Sequence, residues 1–153
     1  MKRVVASVLF FLSAACIHDV ASSDKTWIRI SQFPTGRVLE QVALGRDKIF
    51  SLSFIHSVSN TLVTDVYQVR DKRIYQTQEI FSAHGAGLPS GEDEPGAIKW
   101  GKKNGRFILH MTRDVEPLVV RTDKNYKNRL MVCARTIDLN KWEDQALRLS
   151  IVP

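Results

Sequence analysis

The chain has 153 residues, enough for one domain with an ordinary hydrophobic core. Lys and Arg number 22 against 16 Asp and Glu, which gives a formal net charge of +6, with the positive residues scattered along the chain. The cysteine count is two, and no Cys-x-x-Cys spacing is present. These numbers exclude a small domain built on a disulfide framework and a zinc-ribbon type of site.

Residues 1–21 have the pattern of a secretory signal peptide. Lys2 and Arg3 are followed by the uncharged, mostly apolar residues 4–15, a stretch too short to cross a bilayer as a helix. The sequence therefore predicts an exported, periplasmic protein with a single domain over residues 22–153. Cleavage before Cys16 would remove Lys2 and Arg3 and lower the net charge from +6 to +4. We expect no nucleic-acid ligand for an exported protein.

The two cysteines have different expected roles. Cys16 follows the small residues SAA, which resemble the lipobox of a bacterial lipoprotein, where the cysteine is acylated. The same residues also fit cleavage of an ordinary signal peptide, so a lipid anchor at Cys16 and soluble secretion both stay open. Such an anchor would be the only membrane contact. Cys133 lies in the apolar run LMVCA, which favours a small buried thiol.

Alternating hydrophobicity dominates the remaining sequence. Strands are predicted near residues 27–30, 37–44, 50–55, 63–69, 74–81, 107–111, 118–121, 130–134 and 147–152. Asp71-Lys72 is expected to be the tight turn of a hairpin, and residues 138–145 a short helical turn. Residues 85–105, rich in glycine, are interpreted mainly as a long loop. The pattern predicts an all-β fold, a single antiparallel β-sandwich or flattened barrel of about eight or nine strands.

Polar residues that interrupt this pattern are candidates for a site. His56 directly follows one strand, and Asp65 shares a strand face with apolar neighbours, where a carboxylate needs a partner. Glu79 takes the equivalent place on the other strand of the hairpin. If His56, Asp65 and Glu79 converged, they would offer imidazole and oxygen ligands to a metal.

The region around His56 does not indicate an enzyme. Ser57 is the adjacent hydroxyl, but neighbouring residues of an extended strand point to opposite faces, so Ser57 and His56 cannot pair. We therefore expect no catalytic residues. Gly85 and Gly87 either allow a ligand to approach main-chain amides or simply form a tight turn. The predicted binding residues, for a ligand or a partner, are His56, Ser57, Thr61, Asp65, Tyr67, Glu79, Gly85, Gly87 and Pro89.

Two blocks of the sequence resemble the domain-of-unknown-function family 1850. The first block is the strand at 50–55 followed by HSV at 56–58 and by Thr61, Val63, Asp65, Tyr67 and Val69. The second is Phe81 followed by GAGLP at 85–89. The resemblance extends over about residues 27–152. Two positions depart from it, because Leu62 replaces a common proline and Thr64 replaces one of two adjacent acidic residues.

The resemblance implies an exported protein whose gene neighbours tripartite ATP-independent periplasmic (TRAP) transporters. We therefore expect a non-enzymatic periplasmic accessory protein that binds the transporter's solute receptor or permease, or a small anionic solute. The alternative is a metal- or ligand-sensing module that uses His56, Asp65 and Glu79. No particular cofactor is indicated.

Overall fold

The computed structural model describes residues 25–85, 87–89 and 94–153. This part of the chain contains two short 3-10 helices, Lys124–Tyr126 and Leu139–Trp142. It also contains eleven β-strands, which are β1 (Trp27–Gln32), β2 (Val38–Ala43), β3 (Ile49–Ile55), β4 (Leu62–Arg70), β5 (Arg73–Phe81), β6 (Ala97–Lys103), β7 (Arg106–Asp114), β8 (Leu118–Arg121), β9 (Arg129–Val132), β10 (Arg135–Asp138) and β11 (Ala146–Val152).

The strands form two antiparallel sheets of unequal width. The smaller sheet has four strands in the order β2-β1-β11-β8, and the larger has seven in the order β10-β9-β3-β4-β5-β7-β6. The two sheets share a core, to which the smaller contributes Ile28, Ile30 and Leu147 and the larger Phe50 and Leu130. The predicted all-β sandwich is therefore confirmed.

A second, smaller apolar cluster lies on the larger sheet alone. Its buried members are Val63 of β4, Phe81 of β5 and Leu88 of the following loop. Partly buried Phe54, Trp100 and Phe107 pack around them. No strand of the four-stranded sheet contributes to this cluster within the described residues. Its cover is instead the loop residue Leu88, which is 8% exposed.

The predicted strand count was too low because two strands were missed. The stretch at 85–105, interpreted from the sequence mainly as a loop, contains β6, which pairs with β7 along an edge of the larger sheet and closes its hairpin at Asn104-Gly105. Both turn residues have positive φ, +52° and +75°, as a tight hairpin turn requires. β10 was also missed; it pairs with β9 and buries only Ile137.

Cys133 is not the buried thiol that the sequence suggested. It lies at the exposed turn between β9 and β10, with φ of +54°. Its sulfur is in a disulfide. The sequence has one other cysteine, Cys16, which lies outside the described residues together with the predicted signal peptide at 1–21. Among the described residues, no helix is long and apolar enough to cross a membrane.

Gly96 directly precedes β6 and provides a test of the β6–β7 hairpin, which the sequence pattern did not predict. Its φ is +78°, and a Cβ there would lie 2.6 Å from the carbonyl oxygen of Thr112, whose amide donates to the Gly96 carbonyl at 2.9 Å. We expect Gly96→Ala to lower the free energy of unfolding by about 3 kcal/mol, because backbone strain and a main-chain clash add. Urea denaturation measures this loss.

Gly105→Ala is the matched control for that substitution. Gly105 has nearly the same φ, +75°, but a Cβ there meets nothing within 4 Å. Only the left-handed backbone is then unfavourable, at a cost of about 1 kcal/mol. Equal losses in the two variants would contradict the close approach of Gly96 to Thr112.

Candidate functional site

His56 is held in place by the turn that follows β3. Its backbone amide donates to the carbonyl of Thr61, and its own carbonyl accepts from the amide of Asn60, both at 2.9 Å. The ring Nδ1 accepts from the backbone amide of Ser59 at 3.2 Å. His56 is 9% exposed, so this ring is a buried anchor of the turn.

The second sequence block meets His56 at this point. A Cβ on Gly85 would lie 3.4 Å from Cε1 of His56, and a Cβ on Gly87 would lie 3.9 Å from Nε2. Gly87 has φ of +88°, a conformation that glycine adopts without strain. We call residues 56–61 together with 85 and 87–89 the motif face. Two segments about 25 residues apart in sequence thus form one continuous surface.

The side chains of this surface differ in exposure. Pro89 and Leu88 are buried, Thr61 is partly buried, and Ser57 is exposed. The hydroxyl that contacts the His56 ring belongs to Ser59, at 3.2 Å, and it also lies 2.9 Å from Oγ1 of Thr61. Sequence reasoning missed Ser59. Its place three residues after the histidine, within the turn, is the signal that would have indicated it.

Asp65 and Glu79 converge as the hairpin pattern predicted. They are direct cross-strand partners on β4 and β5, and such partners have Cβ atoms about 5 Å apart. Asp65 accepts hydrogen bonds from Nε2 of Gln76 at 3.0 Å and from the Tyr67 hydroxyl at 3.3 Å. A register shift in the pairing of β4 with β5, between Val66 and Tyr67, leaves Thr77 unpaired and lets Gln76 and Glu79 share the inner face although they are three residues apart.

This environment raises the pKa of both carboxyl groups. Burial raises the pKa of Asp65 to about 6, although the hydrogen bonds from Tyr67 and Gln76 and the charge of Arg113 act in the opposite direction. Burial and the nearby charge of Asp65 raise the pKa of Glu79 to about 7. Arg113, which also lies 3.9 Å from Glu94, lowers the pKa of Glu79. The pair therefore changes its charge near neutral pH.

A cleft of about 180 Å³ opens beside Asp65, between the larger sheet and β8. Tyr67 stacks on Phe50 behind it, with ring centroids 5.0 Å apart. The lining combines apolar side chains with a few polar ones, as ligand clefts commonly do. The residues around it are Leu52, Ser53, Phe54, Asp65, Tyr67, Leu118, Val119, Val120, Asn128, Arg129 and Leu139.

His56 does not join the two carboxyl groups. Asp65 is paired with Leu52, and His56 lies four residues beyond Leu52, so about 13 Å of strand separates the two positions. Within the described residues, no group of three or more His, Cys, Asp or Glu side chains is placed to hold a metal ion. The three-residue ligand set considered from the sequence is therefore not assembled, and the carboxyl pair is separate from the motif face.

The paired carboxyl groups should make stability depend on pH. Both have a folded-state pKa above the ordinary value, so the folded protein holds more protons than the unfolded chain between about pH 4 and 7, and the free energy of unfolding falls as pH rises through this window. We expect Glu79→Gln to be more stable than wild type at pH 8 by on the order of 2 kcal/mol, and similar at pH 4. Urea denaturation across this range measures both curves. Glu143→Gln, at an exposed position, is the control; parallel curves for wild type and Glu79→Gln would contradict the coupled pair.

Removing the His56 ring should loosen both halves of the motif face. We expect His56→Ala to lower stability by about 1–3 kcal/mol and to accelerate amide exchange at Asn60 and Leu88, whose amides donate to His56 and Gly85 carbonyls. Hydrogen exchange followed by NMR measures this, with partly buried His110 of β7 changed to Ala as the control. Unchanged exchange at Leu88 would show that the ring does not support the glycine loop.

The comparisons with known proteins agree with the two sequence blocks. No curated protein and no solved structure matches this chain. The sequence profile described as "Domain of unknown function (DUF1850)" matches residues 50–139, which is more than half of the chain and includes both blocks of the motif face. The chain therefore belongs to the DUF1850 family.

Proposed function

We propose that this protein is a non-enzymatic, exported accessory protein of a TRAP-type solute transporter, and that its motif face binds the transporter's solute receptor or permease. The link to the transporter comes from the family resemblance. The observation that supports a binding role is the contact of His56 with Gly85 and Gly87, because it joins the two family blocks into one surface.

Val58 and Leu62 form what we call the rim of the motif face, which resembles a protein-binding surface. Val58, at the tip of the turn, is 61% exposed, and Leu62, just beyond it, is 46% exposed. Neighbouring exposed apolar side chains on a rigid support are typical of contact sites between proteins. The same face contains the buried side chains of His56 and Leu88, which hold it in place, so little order has to be gained on binding.

A partner protein suits this region better than a small anionic solute. The cleft of about 180 Å³ on the same sheet is lined by Asp65, which adjoins Glu79, and these carboxyl groups become negative near neutral pH. An anionic solute in that cleft would meet charge repulsion. The hydroxyls of Ser59 and Thr61 bond to each other, and that of Ser59 also contacts the His56 ring, which favours a structural role for them over catalysis.

A second candidate function is ligand sensing in the Asp65 cleft. The observation in its favour is the pair of raised carboxyl pKa values beside a cleft of about 180 Å³, since perturbed groups in clefts are often functional. This version of the sensing hypothesis needs no metal and no contribution from His56. A neutral or cationic ligand fits it.

The proposed cellular location of the protein is based on the leader sequence. We propose export to the periplasm, with a lipid anchor at Cys16 and soluble secretion as the alternatives. Acylation would consume the Cys16 thiol and would leave Cys133 without a cysteine partner within its own chain. Removal of residues 1–21 as an ordinary leader would have the same consequence, so the disulfide at Cys133 leaves both alternatives open.

A charge placed on the rim should abolish partner binding. We expect Val58→Asp to weaken binding to the purified solute receptor or permease at least about tenfold, because it puts a charge into an apolar contact. Biolayer interferometry with the signal-free protein immobilised measures the dissociation constants for both partners.

Val38→Asp is the matched control, since Val38 of β2 is 50% exposed on the other sheet. It should leave binding unchanged. Equal weakening by both variants, or no binding of wild type to either partner, would contradict the proposed role of the motif face.

A further inference from the structure

A groove of about 360 Å³ crosses the outer face of the four-stranded sheet, which does not carry the motif face. Arg29 and Ser31 of β1 and Arg148 and Ser150 of β11 line its floor, and Phe33-Pro34 forms a wall. We call this the arginine groove. These β1 and β11 residues point outward because they alternate with core residues such as Ile30 and Leu149.

The strand register brings the two arginines together. Arg29 is paired with Ser150, and Ser31 with Arg148, so the guanidinium groups start from diagonal positions of one antiparallel pair. Diagonal neighbours lie about 7–8 Å apart, within reach of long side chains. The serines between them are small and polar, and the Ser31 hydroxyl donates to the carbonyl of Arg148 at 3.4 Å.

The donors of this pair are poorly satisfied. Nε of Arg29 is buried and has no hydrogen-bond partner among the described residues. Nη2 of Arg148 lies 3.7 Å from Oε1 of Glu116, too far for a hydrogen bond. Oε2 of Glu116 is itself buried without a partner in the same part of the chain. One carboxylate at this distance does not neutralise two guanidinium groups.

Two arginines elsewhere in the described chain illustrate a closer match with a carboxylate. Arg73 donates to Asp114 through Nε at 2.9 Å and Nη2 at 2.5 Å, and Arg129 donates to Asp138 at 2.6 Å. In the arginine groove, by contrast, the buried Nε–H donor of Arg29 has no acceptor among the described residues. A buried polar group left in this state is unfavourable until something binds it.

We infer that the arginine groove binds a small organic carboxylate. A guanidinium group presents a planar pair of N–H donors that matches the two oxygens of a carboxylate. Arg29 and Arg148 would hold the carboxylate, and the 45% exposed ring of Phe33 would cover its apolar part. The volume suits a small ligand. This inference stands apart from the proposed partner binding, because it uses different residues on the other sheet.

An NMR titration of the signal-free protein tests the groove directly. Butyrate is the carboxylate probe, and inorganic phosphate is the competing anion, both at constant ionic strength. We expect butyrate to give saturable shifts at the amides of Arg29, Ser31 and Ser150, and phosphate to bind more weakly. Shifts spread over the surface, no saturation, or a preference for phosphate would overturn the carboxylate assignment.

Substitutions then separate specific recognition from net charge. Arg29→Lys keeps the charge but loses the planar fork, and Arg148→Gln removes the more exposed partner; each should weaken butyrate binding about tenfold. Arg121→Gln is the control, because exposed Arg121 lies on β8 of the same sheet outside the groove. It should change binding less than about twofold. If Arg121→Gln weakened butyrate binding as much as the groove variants do, the effect would come from the net positive charge alone, and the inference would be overturned.

Discussion

A four-stranded sheet cannot cover the inner face of a seven-stranded one, and this mismatch shapes the molecule. The shared core ends where the smaller sheet ends, and the apolar side chains beyond it, such as Val63 and Phe81, must be covered by other means. The loop after β5 supplies Leu88 for this purpose. The loop then turns beside His56, and Gly87 takes a left-handed conformation there, with φ of +88°, that glycine adopts without strain. The family's second block is thus explained first by packing, and a binding surface is built on that packing.

The carboxyl pair lies at the boundary that this mismatch creates. On β4, Asp65 stands between Val63 of the small cluster and Tyr67 of the main core, and Glu79 sits opposite on β5. A continuous apolar stripe would be more stable there, since burying two acids costs free energy that their hydrogen bonds repay only in part. Arg113 and the hydrogen bond from Gln76 limit this cost without removing it. A feature that destabilises the fold is easier to understand as functional than as structural.

Local periodicity predicted the fold class and the hairpin of β4 and β5, although the turn at Asp71-Lys72 alone would pair Asp65 with Gln78 and a β-bulge between Val66 and Tyr67 is what brings Glu79 opposite Asp65. It failed for β6, where lysines and an exposed Ile98 on an edge strand hide the alternation, although Asn104-Gly105 is a strong hairpin signal. Strand spacing alone would have kept His56 away from Asp65. The contribution of Arg113 was beyond the sequence pattern, because it lies on β7, a strand distant in sequence from β4.

The two charged clusters described above lie on different sheets, so their ligands would bind at separate places. The carboxyl pair and the motif face both lie in the larger sheet, whereas Arg29 and Arg148 lie on the outer face of the smaller sheet, with Glu116 3.7 Å from Arg148. An anion attracted to the arginines is not drawn to the carboxyl groups, and a partner on the motif face does not compete with it for the same residues. The core shared by the sheets, packed from Ile28 to Leu130, is the physical connection between these two regions. If a partner binds the motif face and an anion binds the arginines, this core is the route by which one binding event would change the affinity of the other. Linkage requires any such change in affinity to be equal in both directions.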